Sequence, residues 1–542
     1  MNGSERSGGR ILADQLRVHG TELAFLVPGE SYLEVLDGLY EHQDAIRLIN
    51  CRHEGAAANM AAAYGKLIGR PGICMVTRGP GATHASVGVH TAEQDSSPMI
   101  LLVGQVGRPE LGRDAFQEID YRRFFGSVAK WVEQIEDVRR IPELIARAFQ
   151  VASSGRPGPV VLSLPEDMLV ERCTVLDAQP YRVLQAEPSP GQVERLLEIM
   201  AGAERPLVIA GGSGWGDRES SRLRSWAEAA ALPVVNAFRQ QDVLDNRSSS
   251  YAGDLGTAIG PELIERVRKA DVILALGTRL DEMTTRAYTL IGGQRLIHVH
   301  PGLDDLDRVF PTELAITAGV GPILEALSAG RNLDGSRWSA WAEAARGEHL
   351  FDSRPQPQPG DVNLGEVMVM LRRQLPDDTV LTNGAGNFTG WIQRFFEFRG
   401  VGTQLAPQSG AMGYGVPAAI AAAAAGRRAA CLAGDGDFLM YAQELGTAVQ
   451  YGLKVLFMVV NNGMYGTIRM HQEREHPGRV IGTELRNPDF AALAESFGVQ
   501  GQTVRRTEEF PAALERALAA PGSALIELQV SPRALTSRTP RE

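Results

Sequence analysis

Short runs of β-branched and other apolar residues alternate with helix-length amphipathic segments along the whole chain, and the alternation restarts twice. In the first third, LAFLVPG, IRLIN, ICMVT, PMILLVG and PVVLSLP are short, mostly apolar runs that read as buried strands of a parallel sheet. PLVIAGG, PVVNAF, VILALGT and LIHVH form a second set, and TVLTN, TQLAP, AACLAG, VLFMVVNN and ALIELQV a third. Between the sets lie LDAQPYRVLQAEPSPGQ and FDSRPQPQPGDV, whose proline and polar residues cannot continue a sheet and read as linkers. The pattern predicts an α/β protein of three doubly wound parallel-sheet domains, 8–178, 190–335 and 358–535. The first and third sets share a size and strand rhythm, as two copies of one ancestral fold would.

Composition narrows the function. A chain of 542 residues, 44% apolar, exceeds what one core organises. Its net charge of -11 comes with no basic run beyond short pairs, so neither nucleic acid nor an anionic membrane is an expected partner. MNGSERSGGR has no apolar core to act as a secretion signal, and the apolar stretches are too short or too alanine-rich to span a bilayer. Cys51, Cys74, Cys173 and Cys431 are scattered without CxxC spacing, which suits a reducing cytoplasm.

The chemistry concentrates in GDGDFLMYAQELGTAVQYGLKVLFMVVNN. Gly434, Asp435 and Gly436 follow a buried strand and open a helix, where ligands of open parallel sheets bind and backbone amides favour an anion. After one helix and one strand the chain ends on Asn461 and Asn462, so the two strand ends are expected to be neighbours. An Asp435 carboxylate, an Asn462 amide oxygen and a backbone carbonyl would suit Mg²⁺ holding a phosphate. Either turn sequence alone is ordinary.

The pairing resembles the diphosphate and metal motif of the thiamine-diphosphate-dependent enzymes. On that resemblance Asp435, Asn462 and the carbonyl of Met464 hold Mg²⁺, while Asp437 stands where the family often has a small residue, leaving its role open. LINCRHEGAAANMAAAYGKLIGRPGICMVTRGPGATH resembles the family's pyrimidine-binding domain, with Glu54 at the place of its catalytic glutamate. A partly desolvated carboxyl there can give a proton to the cofactor's ring nitrogen; the bland alternative is a carboxylate favoured by its helix dipole. In PQSGAMGYG, Met412 matches the apolar residue that enforces the bent cofactor shape. In NGAGNFTGW, the backbone at Gly386, Asn387 and Phe388 matches a segment that reaches the diphosphate. The family builds one site from two subunits, which implies at least a homodimer, commonly a tetramer.

Within the family, GRDAFQEID resembles the acceptor-pocket segment of acetolactate synthases, with Phe116 and Gln117 toward substrate and Gln117 a candidate catalytic residue. Glu30 in VPGESYLEVLD instead resembles the acid of pyruvate decarboxylases, placed to protonate the carbanion equivalent left by decarboxylation. His471, in a stretch closer to benzaldehyde lyase, is either a substrate contact or a solvated helix residue. For the FAD that acetolactate synthases carry, Arg279 and Asp281 in LGTRLDEMTT match. GDLGTAIGP lacks the matching histidine, and His300 replaces an aspartate, so the balance goes against FAD without closing it off. The implied activity is decarboxylation of a 2-oxo acid with transfer to a carbonyl acceptor, as in acetolactate synthases. The alternatives are a simple 2-oxo acid decarboxylase, an aldehyde lyase, an oxalyl-CoA-type decarboxylase or, outside catalysis, a nucleotide-binding regulator.

Overall fold

Strand pairing sorts the chain into three six-stranded sheets, each parallel throughout, and one short antiparallel pair, Arg6–Ser7 with Arg172–Cys173, in a computed structural model that describes residues 4–538. The first sheet comprises β1 (Leu23–Leu26), β2 (Arg47–Asn50), β3 (Gly72–Val76), β4 (Met99–Gln105), β5 (Trp131–Gln134) and β6 (Pro159–Pro165), ordered β2-β1-β3-β4-β6-β5. The second comprises β7 (Pro206–Ala210), β8 (Val234–Asn236), β9 (Tyr251–Asp254), β10 (Val272–Leu276), β11 (Arg295–His300) and β12 (Leu314–Thr317), ordered β9-β8-β7-β10-β11-β12. The third comprises β13 (Val380–Asn383), β14 (Gln404–Leu405), β15 (Ala429–Gly434), β16 (Val455–Asn461), β17 (Gln500–Val504) and β18 (Ala524–Gln529), ordered β14-β13-β15-β16-β18-β17. The first and third sheets thus repeat one permutation, as their shared rhythm suggested. In both, the strand order reverses between the first strand and the third, β1/β3 and β13/β15, the crevice where open α/β sheets bind ligands.

The helices include α1 (Glu54–Ile68), α2 (Pro80–Gln94), α3 (Ser339–Asp352), α4 (Leu364–Gln374), α5 (Thr389–Phe395), α6 (Gly415–Ala424), α7 (Leu445–Gln450) and α8 (Gly466–Glu475), and one short helical turn, Asp435–Phe438, carries three candidate residues. Small residues set the spacing of the pair α1 and α2. A Cβ on Gly88 of α2 would lie 2.4 Å from the Ala58 Cβ of α1, so the helices touch backbone to backbone.

By contacts the chain forms two compact units. One runs to Leu184 and takes in Val416–Gly426 and Tyr441–Leu453; the other holds Gln185–Gly415, Arg427–Met440 and the chain from Lys454 on. The second and third sheets therefore share a unit. Between them Asn246 N donates to Phe398 O (2.9 Å), Phe398 N to Asn246 Oδ1 (2.8 Å) and Gln241 N to Gln404 Oε1 (2.7 Å). Among the described residues no helix is long and apolar enough to cross a membrane.

Candidate active site

In the third sheet β15 pairs with β16 so that Gly434 lies opposite Val460, which brings Asp435 beside Asn461 and Asn462. Asp435 is 3% exposed. Its Oδ1 accepts from Gly436 N (2.8 Å), and its Oδ2 from Gly463 N (2.8 Å) and Asn487 Nδ2 (2.7 Å). Burial pushes the carboxyl up from the usual aspartate range, and these donors hold it back. Asn461 is engaged elsewhere, its Nδ2 donating to Glu527 Oε1 (2.6 Å) and its Oδ1 accepting from Asn487 Nδ2 (2.9 Å). The next amide, Asn462, turns its Oδ1 to Met464 N (3.1 Å).

These groups border a cavity of about 240 Å³. Its floor is glycine. A Cβ on Gly434 would come within 3.1 Å of the Phe388 ring, and one on Gly436 within 2.5 Å of Tyr465. Gly386, Asn387, Phe388 and Met412 form part of the wall, and α8 starts at its edge with Gly466 and Thr467. Asn387 is anchored there, its N donating to Thr467 Oγ1 (2.9 Å) and its Nδ2 to Leu535 O (2.8 Å). A helix start, a side-chain-free floor and the oxygens of Asp435, Asn462 and Met464 fit a diphosphate with a hard divalent cation.

Asp437, whose role the sequence leaves open, ties two walls together. Its Oδ1 accepts from Gly413 N (2.7 Å), next to Met412, and from Ala385 N (3.0 Å), at the end of β13. The carboxyl is 3% exposed and burial raises its pKa to about 7. It can lie this close to the chain after β13 because residue 384 is glycine.

In the first unit Glu54 opens α1. His53 caps that helix, its Nδ1 accepting from Gly55 N (3.0 Å). Glu54 Oε2 lies 2.9 Å from His84 Nδ1 on α2, and the imidazoles of His53 and His84 meet at a tilt of 31° with ring centroids 4.6 Å apart. Burial lowers the His53 pKa, with His84 adding to the effect. Tyr441 completes the wall at 5.5 Å from His53, and its phenol is pushed up to about 12 by burial. Glu30 starts a 3₁₀ turn (Glu30–Tyr32) beyond β1, at the crevice between β1 and β3, where a Cβ on Gly29 would come within 2.4 Å of Thr77. Its carboxylate is exposed and has no hydrogen-bond partner among the described residues.

Gln117 has φ +66° and packs on the Gly79 turn: a Cβ there would be 2.7 Å from Gln117 Cβ. Phe116 beside it is 74% exposed. Glu118 clasps the same loop, accepting from Gly112 N (2.6 Å) and Ala115 N (3.0 Å). His471 stands outside the cavity on the exposed side of α8, 2.7 Å from Arg474 Nη2. In the second sheet Asp281 accepts from Met283 N, Thr284 N and Thr284 Oγ1, each at 3.0 Å, and His300 Nδ1 accepts from Gly302 N (3.0 Å).

Sequence reading missed Asn487, Glu527 and His84. Asn487 sits in RNPDF, a string of ordinary turn residues, and Glu527 in an apolar strand. Only the fold brings them to Asp435 and Asn461.

Residues 6–124 match the family model of the thiamine pyrophosphate enzyme N-terminal TPP binding domain, 193–327 its central domain, and 384–528 its C-terminal TPP binding domain. The acetolactate synthase large subunit of Parasynechococcus marenigrum (strain WH8102) is 32% identical over 97% of this chain and 87% of its own length. The acetolactate synthase isozyme 2 large subunit of Escherichia coli (strain K12) is 29% identical over 97% and 95%. That of Porphyra purpurea, an acetolactate synthase large subunit, is 29% identical over 98% and 92%.

Proposed function

The chain belongs to the thiamine pyrophosphate enzymes and is an acetolactate synthase-like, thiamine-diphosphate-dependent enzyme, and from that premise we propose that it decarboxylates a 2-oxo acid and passes the acyl-carbanion equivalent to a carbonyl acceptor. The observation that carries the reading is the cavity beyond β15 and β16, where Asp435, Asn462 and Met464 offer oxygens beside a helix start. Asp435, Asn462 and the Met464 carbonyl would hold Mg²⁺, and the start of α8 would face the diphosphate. Thiamine diphosphate would supply an electron sink for the bonding pair left behind when CO₂ departs. Met412 offers an apolar support in the cavity wall, and the Asp437 clasp fixes the loop that carries it.

Glu54 would hold a proton at its carboxyl and exchange it with the pyrimidine ring nitrogen. His84 and the helix cap at His53 orient that carboxyl. Pairing the pyrimidine half with the diphosphate half requires at least a homodimer on this reading, commonly a tetramer. Gln117, beside the Gly79 turn, and Phe116 would border the acceptor. Asp281 and His300 are committed to their own turns, which supports a second sheet working without FAD.

A second reading, release of free aldehyde by a simple decarboxylase or lyase, is favoured by one feature: the unpartnered carboxylate of Glu30 at the crevice of the first sheet. A panel of 2-oxo acids, incubated with and without thiamine diphosphate and Mg²⁺ and read by CO₂ release and product mass, separates the readings. Carboligation product from pyruvate supports the first, free aldehyde alone the second. Cofactor-independent turnover, or none on any acid, overturns both.

A further inference from the structure

A second cavity, of about 230 Å³, lies in the unit that holds the second and third sheets, bordered by α3, α4 and the chain leaving α5. It shares no lining residue with the cofactor cavity, although α5 borders both, through Trp391 on one and Gln393 and Arg394 on the other. Five guanidiniums line it, those of Arg346, Arg372, Arg373, Arg394 and Arg399, against one carboxylate, Glu397.

Neighbouring acids do not balance this charge. Among carboxylates Arg399 takes Glu397 (2.9 Å) and Asp377 (2.8 Å), Arg394 takes Asp352 (3.3 Å), and Arg372 has only the already shared Asp377, at 3.5 Å, while Arg372 also donates to the carbonyls of Leu375 and Pro376 and Arg394 to those of Ser537 and Asp352. Among the described residues neither Arg346 nor Arg373 has a carboxylate within 4 Å. Arg346 spends Nη1 on the carbonyls of Asn246 (2.8 Å) and Tyr251 (3.1 Å). Arg372 is 4% exposed, and its Nε, like that of Arg394, is buried without a partner. Burial lowers the pKa of Arg346, Arg372 and Arg394 alike, the sign of positive charge held away from water. The surplus is local, since the chain as a whole carries -11.

We propose that this cavity is a binding site for a compact polyanion of the phosphate-ester or diphosphate type, gripped by Arg346 and Arg373 above the buried charges of Arg372 and Arg394. Guanidinium forks match phosphate oxygens two at a time. The volume equals about eight waters at ~30 Å³ each, room for a sugar phosphate and too little for a dinucleotide.

Isothermal titration of the protein saturated with thiamine diphosphate and Mg²⁺, with fructose 1,6-bisphosphate and then inorganic phosphate at constant ionic strength, tests this. The expected result is saturable binding of one bisphosphate per chain, weaker binding of phosphate, and at least a tenfold loss of bisphosphate affinity in both Arg373→Gln and Arg346→Gln. Because Arg346 also bonds backbone, the exposed Arg373 is the decisive variant, and bisphosphate should raise the melting midpoint of the wild type but not of Arg373→Gln. Absence of saturable binding of the bisphosphate, or an affinity unchanged in Arg373→Gln, overturns the proposal whatever the activity on 2-oxo acids.

Discussion

Replacing Gly384 with alanine should break the clasp that joins the two walls of the cofactor cavity. The new Cβ would lie 2.0 Å from Asp437 Oδ1, 2.6 Å from Oδ2 and 2.7 Å from Cγ, so the carboxyl has to leave. It would give up its bonds from Gly413 N and Ala385 N. Two such bonds are worth about 3–6 kcal/mol in all to a charged acceptor and about 1–3 kcal/mol to a neutral one. With a pKa of about 7 the group is divided between the two forms at neutral pH, so the expected loss is about 2–4 kcal/mol. Urea unfolding of the apo-protein at pH 7 measures it as a lower midpoint at unchanged slope. Asp437→Ala should cost a similar amount. In that background Gly384→Ala should add less than about 0.5 kcal/mol, because the three atoms it would strike are gone. Thiamine diphosphate affinity should fall in step, since Met412 adjoins Gly413. A cost below about 0.5 kcal/mol in the wild-type background, or a full cost persisting without Asp437, would refute the reasoning.

Glu54→Gln should keep the fold and cofactor affinity while lowering kcat about a hundredfold or more; retention of a tenth of the activity speaks against its proton role. Asp435→Ala would remove the one charged ligand of the proposed Mg²⁺ site, so calorimetry on the dialysed protein should find thiamine diphosphate binding lost, and undiminished affinity would reduce the motif to a turn. Glu30→Ala should raise the ratio of carboligation product to free aldehyde from pyruvate, whereas an unchanged ratio leaves Glu30 no part in protonation. Burial and Arg346 hold the His349 imidazole down at about 4. The unfolded chain therefore takes up this proton below about pH 6.5 while the folded chain does not, and stability should fall as pH drops from about 6.5 to 4. His349→Gln should flatten that slope, and equal slopes in both proteins would contradict it.

Most strands legible in the sequence are buried on both faces, where packing demands an apolar run: β15 and β16 are buried along nearly their whole length, whereas β2, read from IRLIN, is an edge strand with only Ile49 buried. Within the six-stranded sheets the strands left unread, β5, β9, β12 and β17, all lie at sheet edges. There β5 is half-buried throughout, β17 reads QGQTV, and β9, though buried, carries Gly253 and ends on Asp254, so these three lack the interior pattern; β12, LAIT, is apolar but only Ile316 of it is buried. Asp435 and Asn462 were legible because a glycine turn and an amide pair end consecutive interior strands, and parallel pairing alone makes such ends neighbours.

The segment between them was legible only as a helix. Folding gives Tyr441–Leu453 to the unit of the first sheet, where Glu444 Oε1 accepts from Arg52 N (2.9 Å) and Tyr451 Oη from Asn50 N (2.7 Å). The partners of Asp435, Asp437 and Glu54 were likewise beyond reach. Asn487, Gly413 and His84 meet them across separations that carry no period or motif. A hydrogen bond between distant segments depends on where both backbones have already been placed by their own cores, and a linear pattern records only the burial of each.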